Sequence, residues 1–247
     1  MPLILRGGVA SDAADCGDIL YRAFKAIADA HNFPPDFPSA QMATAVAASL
    51  LGHPRFHGVI AEADGRIVGS NFLDERNPIS GVGPITVDPA VQNDGAGRAL
   101  MDAVLRRSDE RGFAGVRLVQ AGYHNRSLAL YLKLGFEARE QLACLQGPAV
   151  AISVPGCSVR AAAADDLPAC ERLCFRVHGH DRGGELADAI SQRAARMPLR
   201  VWVGAMPSWS NLTCRMAGCP EATAASNAGA KSAVRSTVAP KPPNARA

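Results

Sequence analysis

The chain has 247 residues, of which 48% are hydrophobic, and it holds neither a run near the roughly 18 apolar residues of a membrane helix nor a secretory signal. Its net charge of +3 is unevenly spread, because eight basic residues and one acid follow residue 192 while 18 basic and 22 acidic residues precede it, so a basic nucleic-acid-binding face is not expected. These features predict a cytoplasmic globular protein without nucleic-acid or membrane partners, and seven cysteines without a metal-binding spacing favour free thiols and no metal site.

The first 70 residues predict a strand, two helices and a hairpin. Residues 3–6 form a short apolar strand, and Asp12 then caps a helix whose apolar residues recur at helical spacing. A proline-rich stretch ends that helix, and Ser39 caps a second one. The next two strands flank Asp64 and Gly65, a dipeptide that is a strong signal for a tight hairpin.

The next 65 residues predict alternating strands and helices. Residues 85–87 form a strand, and residues 95–111 have a helical pattern with basic residues near its end. A fifth strand follows at 116–119, and a short helix at 127–133. This order predicts an α+β or α/β layer fold with a mixed central sheet flanked by helices.

A glycine-punctuated turn joins the strand at 85–87 to the following helix. Gly95 and Gly97 allow the backbone to approach a ligand closely, and the free amides at a helix start favour a pyrophosphate. The turn lacks the third glycine and the later acidic residue of a dinucleotide site, and no Walker A lysine follows it. A purely structural glycine turn that permits tight packing is the alternative.

These motifs resemble those of the GNAT acyltransferase superfamily. The family's Gln/Arg-x-x-Gly-x-Gly/Ala motif, after a strand that ends in Val-x-Pro, is matched by Gln92, Gly95 and Gly97. The family's Leu-Tyr-x-x-x-Gly-Phe segment is matched by residues 130–136, one helix and one strand later. Two motifs in the right order are much more specific than either alone.

The resemblance implies an acetyl-CoA site and a catalytic tyrosine within a GNAT domain at residues 1–150. In this family the pantetheine arm lies beside the fourth strand and the pyrophosphate lies on the glycine turn, and a backbone amide near Val87 would stabilise the oxyanion. Tyr131 would protonate the leaving thiolate; an aromatic residue on a packed helix face is the alternative. The implied cofactor-binding residues are Ile85, Thr86, Val87, Gln92, Asn93, Asp94, Gly95, Ala96, Gly97, Arg98, His124 and Asn125.

Two departures from the family pattern concern the catalytic groups. The asparagine that usually lies seven residues before the tyrosine is replaced by His124, with Asn125 one place late. The fourth strand has no glutamate to act as general base. The base is therefore unassigned, and the alternatives are catalysis or a solvated surface role for Asp74, Glu75, His53 and His57.

The resemblance implies an N-acetyltransferase that moves an acetyl group from acetyl-CoA to an amine of a small molecule or a protein. The family binds its acceptor through the first two helices and the loop between them. Without a strand carboxylate, the alternative is a non-catalytic acyl-CoA-binding or regulatory domain. The residues in the acceptor region are Tyr21, Phe24, His31, Phe33 and Asp36.

A partial repeat at an offset of 154 residues begins a second unit. Arg6, Asp12, Cys16 and Arg22 recur as Arg160, Asp166, Cys170 and Arg176. We predict that residues 157–192 form the first strand and helix of a second GNAT-like domain, as in tandem members of the family, with an exposed loop at residues 178–181. Residues 193–247 predict a low-complexity, disordered tail, and a shifted reading frame is one hypothesis for the change in composition.

Overall fold

A computed structural model of the chain describes residues 2–144, 160–194 and 233–240, with backbone alone at 140–144, 192–194 and 233–240. The strands are β1 (Leu3–Gly7), β2 (Phe56–Ala63), β3 (Arg66–Asp74), β4 (Ile79–Val82), β5 (Thr86–Val87), β6 (Gly115–Ala121), β7 (Phe136–Cys144) and β8 (Ala233–Pro240). The helices are α1 (Ala13–Ala30), α2 (Ala40–Gly52), α3 (Ala96–Glu110), α4 (Asn125–Lys133), α5 (Leu167–His178) and α6 (Gly183–Ala194).

The strands form one mixed sheet in the order β1-β2-β3-β4-β6-β8-β7, with β5 paired to β3. The pair β4–β6 is parallel and the other pairs are antiparallel. Asp64 and Gly65 both have positive φ and close the β2–β3 hairpin as predicted. The predicted fold class, a mixed sheet flanked by helices, is confirmed.

Two helix pairs cover opposite faces of the sheet. Phe72 of β3 packs in a cluster with α1 and α2, and its neighbour Leu73 packs in the main core with α3 and α4. Successive residues of a strand point to opposite faces, so β3 supplies both layers. The helices α1 and α2 approach closely at Gly17, where a Cβ atom would lie 2.3 Å from the Cα atom of Thr44.

The sheet splits between β4 and β5. Strand β4 pairs with β3 and, as far as Val82 opposite Leu118, with β6. Strand β5 pairs with β3 through Thr86 and Val87, and among the described residues it has no partner on its other side. The sequence predicted one strand at 85–87, but the structure has two short strands separated by Gly83, Pro84 and Ile85, so Ile85 lies outside β5. The gap between β5 and β6 is where the main cleft opens.

The repeat recurs as a set of matching hydrogen bonds. Arg6 Nη1 lies 2.7 Å from Asp12 Oδ2, and that oxygen accepts from the Val9 amide at 2.8 Å. One repeat later, Arg160 Nη1 lies 2.6 Å from Asp166 Oδ2, which accepts from the Ala163 amide at 2.8 Å. Cys16 and Cys170 are both buried. The assignment of residues 157–192 to a second domain stays a prediction, and residues 157–159 at its start lie outside the described residues.

The helices α5 and α6 form a small unit with a core of its own. Cys170, Cys174 and Leu186 make an apolar cluster that is separate from those of the sheet. Among the described side chains, polar contacts join α6 to the part of the chain before residue 145: Asp188 lies 3.1 Å from His53 Nε2 and 2.9 Å from Arg76 Nη1. A hydrophobic core therefore holds the pair together, while charges and hydrogen bonds hold it to the sheet.

Residues 233–240, within the segment predicted to be a disordered tail, are a strand in the structure, while the domain boundary at residue 193 stays a prediction. These residues form β8, which is hydrogen-bonded to β6 on one side and to β7 on the other. The segment Ala233–Pro240 carries Val234, Thr237 and Val238, which are good strand formers that the compositional argument overlooked. The rest of the predicted tail lies outside the described residues, apart from the last turn of α6.

Among the described helices, none combines the length and the apolar character needed to cross a membrane.

Candidate active site

A cleft of about 1510 Å³ opens where β5 leaves β6. Its walls come from the segment 81–87, from residues 117–121 of β6, from the start of α3 and from the length of α4. Residues of α1 and of the α1–α2 loop close a further side. The split in the sheet therefore creates the site, because two strands that diverge leave backbone groups without strand partners.

The backbone of β5 presents hydrogen-bonding groups to this cleft. The amide of Asp88 donates to the Val68 carbonyl of β3 at 2.8 Å. Successive amides of a strand point in opposite directions, so the Val87 amide points away from β3 towards the cleft. The Gln92 side chain donates to the Val87 carbonyl at 3.1 Å and accepts from Arg126 at 2.9 Å. Gln92 thereby ties the glycine turn to β5 and to α4.

The glycine turn places the start of α3 at the cleft. Gly95 is the N-cap of α3 with a φ of 87°, a left-handed conformation that favours glycine, and Asn93 has the same φ. A Cβ atom at Gly97 would touch Val87 and Leu130 at 3.7 and 3.8 Å. The first amides of α3 have no preceding helical turn to bond, so they are available to an anion in the cleft.

The phenol of Tyr131 lies at the buried end of the cleft. The residue is 5% exposed, and its ring lies 6.0 Å from that of Phe136. Burial raises the pKa of Tyr131 to about 12, against a hydrogen bond to Ser127 that lowers it. The phenol is therefore protonated at neutral pH and can donate a proton to a group in the cleft.

His124 lies directly before α4 and contacts Ser127. Ser127 Oγ lies 2.8 Å from His124 Nδ1. Burial lowers the pKa of His124, and the charge of Arg126 and the nearby His31 lower it further. The imidazole is therefore uncharged at neutral pH, as the asparagine expected at this position would be.

The structure brings most of the predicted site residues together. Of the thirteen, Asp94 and Ala96 do not line the cleft: Asp94 is exposed and Ala96 is buried in the first turn of α3. The residues that do line it are Ile85, Thr86, Val87, Gln92, Asn93, Gly95, Gly97, Arg98, His124, Asn125 and Tyr131.

Most of the proposed base candidates do not face the cleft. Of Asp74, Glu75, His53 and His57, Asp74 alone lines it. Both oxygens of Asp74 accept hydrogen bonds from Arg76, at 2.8 and 2.7 Å. Glu75 is paired instead with Arg107 of α3 at 2.7 Å. These carboxylates serve ion pairs within the fold.

The acceptor region is built differently from the sequence prediction. Phe24, His31 and Asp36 line the cleft, whereas Tyr21 and Phe33 do not. Phe33 and His31 instead stack on Tyr123, with ring centroids 4.3 and 5.0 Å apart. This stack joins the α1–α2 loop to the loop between β6 and α4.

Sequence reasoning missed a wall of the cleft that α5 and α6 supply. Arg117 of β6 contacts Glu185 of α6 and lies 2.7 Å from His180 Nε2. Arg182 also contacts Glu185. The predicted exposed loop at 178–181 is thus partly engaged, since His180 faces Arg117. A sequence offers no signal for this wall, because it depends on how two distant segments meet. The residues that these helices add to the cleft are Val177, His178, His180, Arg182 and Glu185.

Within the described ranges, no group of three or more His, Cys, Asp or Glu side chains is arranged to hold a metal ion.

Residues 21–136 match the family model described as the acetyltransferase (GNAT) family. Two curated relatives are both mycothiol acetyltransferases, from Amycolatopsis mediterranei and Saccharomonospora viridis. Each is 36% identical to this chain, over 90 and 87 residues. The matches cover 33% and 32% of this chain but 30% and 28% of the relatives, so the chain matches about a third of their length.

Solved structures of acetyltransferases also align with the chain. The ribosomal-protein-S18-alanine N-acetyltransferase of Escherichia coli is 21% identical, covering 57% of this chain and 81% of its own, with a TM-score of 0.46. A phosphinothricin acetyltransferase of Sinorhizobium meliloti, in complex with acetyl-CoA, is 23% identical, covering 58% and 80%, with a TM-score of 0.47.

Proposed function

Because this chain belongs to the GNAT acetyltransferase family, we propose that residues 1 to about 150 form a domain that transfers the acetyl group of acetyl-CoA to an amine. The single observation that carries the proposal is the composition of the cleft, in which the glycine turn, the free edge of β5 and the phenol of Tyr131 meet. The proposal includes both small-molecule amines and protein amines as acceptors of the acetyl group.

The cofactor would lie along the split in the sheet. The amides at the start of α3 would hold the pyrophosphate, helped by the basic side chains of Arg98 and Arg126 at the cleft mouth. The pantetheine arm would bond the free edge of β5 as an additional strand does. The acetyl carbonyl would then lie near the Val87 amide, which would stabilise the negative charge that develops on its oxygen.

Transfer would proceed by direct attack of a neutral amine on the thioester carbonyl. The C–N bond forms as the C–S bond breaks, and Tyr131 supplies the proton that the departing sulfur needs. Its raised pKa keeps that proton in place until the thiolate forms. The nitrogen loses one proton to water in the open cleft, and water then returns a proton to the Tyr131 phenolate. The acceptor would enter beside Phe24, His31 and Asp36.

Calorimetric titration with acetyl-CoA tests the cofactor site, with two substitutions at one position as a matched pair. Gly95→Asp and Gly95→Asn carry side chains of equal size and the same strain at a φ of 87°, and a Cβ atom there meets no other atom within 4 Å. Only the aspartate adds a charge beside the phosphates. We expect affinity to fall about 10- to 100-fold more for Gly95→Asp than for Gly95→Asn.

No saturable binding by the folded wild type would remove the proposed function. Equal affinities for the two variants would show that the pyrophosphate lies elsewhere.

The second candidate is a non-catalytic acyl-CoA-binding or regulatory domain, favoured by the ion pairs that occupy Asp74 and Glu75. Tyr131→Phe separates the two candidates in a thiol-release assay. An enzyme should lose about 10²- to 10⁴-fold in kcat while its affinity for acetyl-CoA stays within a few-fold. A binding domain would release no coenzyme A with either tyrosine or phenylalanine at this position.

A further inference from the structure

The side-chain amide of Gln120 in β6 is buried and has no hydrogen-bond partner among the described residues. Gln120 is 7% exposed, and both its Oε1 and its Nε2 atoms are buried and unpaired. Folded proteins pair nearly all their buried polar atoms, because an unpaired one has lost its hydrogen bonds to water without replacement. The ordinary packing of the fold therefore gives no reason for an amide at this position.

Gln120 lies where the sheet splits. Val82 of β4 opposite Leu118 of β6 is the last pair between these two strands. Gln120 follows Leu118 by two residues and lines the main cleft. A molecule that fills the split between β5 and β6 therefore passes beside Gln120.

The side chain of Gln120 points to the same face of the sheet as the Tyr131 phenol. Residues two apart on a strand point to one face, and Leu118 packs in the main core cluster together with Tyr131. That face carries α3 and α4, whereas the acceptor region lies with α1 and α2 on the other face. Gln120 is thus placed to meet the cofactor rather than the acceptor.

The arm of coenzyme A offers the hydrogen-bonding groups that this amide lacks. A glutamine amide can donate through Nε2 and accept through Oε1. Each trans amide of the arm directs its N–H and its C=O to opposite sides. An arm that bonds the edge of β5 with one of these groups therefore turns the other away from β5, towards β6. Glutamine can pair with either group.

We propose that Gln120 binds the amide of the acetyl-CoA arm nearest the sulfur and so holds the thioester beside Tyr131. The inference rests on the proposed function and adds to it a side chain of β6 that recognises the cofactor. Without cofactor the protein keeps an unpaired amide in its interior. Binding of the arm supplies the missing partner, so part of the cofactor's affinity comes from relieving this cost.

The proposal predicts that one substitution has opposite effects on stability and on cofactor affinity. Gln120→Met keeps a long, unbranched side chain and removes the amide. In the full-length protein without cofactor, the urea midpoint of unfolding should rise, because an unpaired polar group leaves the interior. In calorimetric titration, the affinity for acetyl-CoA should fall about 5- to 20-fold.

Asn71→Leu is the matched control for the stability measurement. Asn71 of β3 is also a buried amide, but it accepts from the Phe72 amide at 2.9 Å and donates to the Leu100 carbonyl at 3.3 Å. Its replacement should lower the urea midpoint, because the backbone groups of Phe72 and Leu100 lose a partner. A midpoint that falls for Gln120→Met as well would show that its amide is satisfied within the protein, and would overturn the proposal.

A modified cofactor tests which group Gln120 binds. In this analogue of acetyl-CoA, two methylene groups replace the amide nearest the sulfur. Wild type should bind the analogue more weakly than acetyl-CoA, and this loss should be about 5- to 20-fold smaller in Gln120→Met, where one of the bonds is already absent. Equal losses in the two proteins would show that Gln120 does not contact this amide.

The outcomes separate the role of Gln120 from the function on which it rests. A folded wild type that does not bind acetyl-CoA would refute the proposed function and this inference together. A Gln120→Met protein that binds acetyl-CoA as tightly as wild type would refute the role of Gln120 and leave the transferase intact.

Discussion

Two side chains, Arg6 and Asp12, hold together the corner between β1 and α1. Arg6 bonds Asp12 through both of its terminal nitrogens, at 2.7 and 2.9 Å, and also contacts Glu62 of β2. The carboxylate of Asp12 additionally accepts from the Val9 amide. Asp12 is 6% exposed, so water does not replace these partners. The side chain of Asp12 makes no capping hydrogen bond to α1. It closes the 3-10 turn at Ala10–Asp12 through the Val9 amide and is also the anion of a shielded ion pair.

Asp12→Asn should reduce the free energy of unfolding by about 2 kcal/mol at pH 7, since it removes charge-assisted bonds to Arg6. The hydrogen bonds from Arg6 hold the pKa of Asp12 below its ordinary value. A depressed pKa means that the stabilisation is complete above the unfolded value near 3.9 and is lost as the pH falls through the folded value. Urea unfolding of both proteins between pH 7 and pH 3 measures the difference.

Asp18→Asn is the control for that experiment. Asp18 pairs with Arg22 at an i,i+4 spacing on the exposed side of α1. Its replacement should change stability by less than about 0.5 kcal/mol. A difference between wild type and Asp12→Asn that stays constant down to pH 3 would contradict the ion-pair account.

At the scale of elements, a single glycine, Gly17, sets how closely α1 and α2 pack. Gly17 of α1 faces Thr44 of α2, and an added Cβ atom would lie 2.3 Å from the Thr44 Cα atom and 2.4 Å from its Oγ1. The nearest atom is backbone, so α2 would have to move. The cluster of Leu20, Val46 and Leu50 behind this contact depends on that close approach.

Gly17→Ala should therefore destabilise the protein by about 1–3 kcal/mol, although alanine is the better helix former. Gly52→Ala at the end of α2 is the control, because a Cβ atom there meets nothing within 4 Å. Thermal unfolding of the two variants compares them directly. A Gly17→Ala protein as stable as wild type would show that the helices can separate at no cost.

The helices, strands and turns also show which structural features could be predicted from the sequence. Asp64-Gly65, Ser39 and Gly95 act through local backbone chemistry, and the structure has a hairpin, an N-cap and a left-handed turn at these positions. The sequence predicts a single strand in place of the two strands that flank Gly83. The two-strand arrangement depends on where β4 and β5 each pair with β3, which the local sequence does not encode. The pairing of β8 with β6 and β7 could not be foreseen, since these partners lie about 100 residues earlier in the chain.

The residues of the candidate site also fall into those that the sequence could predict and those that it could not. Motif residues such as Gln92 and Tyr131 lie on the cleft wall, because each motif sits on one local element. The wall formed by His180 and Glu185 was missed, because polar contacts between distant segments leave no periodic pattern.

On the scale of the whole molecule, the attachment of α5 and α6 is electrostatic. Asn77 donates to Glu185 at 2.9 Å and accepts from the Gly184 amide at 3.0 Å. Asp188 joins His53 and Arg76. The apolar cluster of α5 and α6 does not extend to the sheet. Such an attachment weakens with ionic strength, whereas the apolar cores do not.

Asp188→Asn should therefore loosen α6 without unfolding the sheet. We expect hydrogen exchange of the α6 amides to become about 2- to 10-fold faster, and exchange in β2 and β3 to stay unchanged. Raising the salt concentration should have the same effect on wild type and a smaller one on the variant. Asp165→Asn removes a charge from an exposed site in the same segment and serves as the control. Equal exchange in all three proteins would contradict an electrostatic attachment.

The recurrence of one arginine–aspartate corner at residues 6–12 and 160–166 bears on the order of events during folding. Each corner closes a loop of only six residues, and loops of about this length close in roughly 10–100 ns. Sheet pairs such as β6 with β8 join residues more than 100 positions apart and form much later. We therefore expect both corners to close before the sheet pairs form, and closure of the second corner requires no sheet pair.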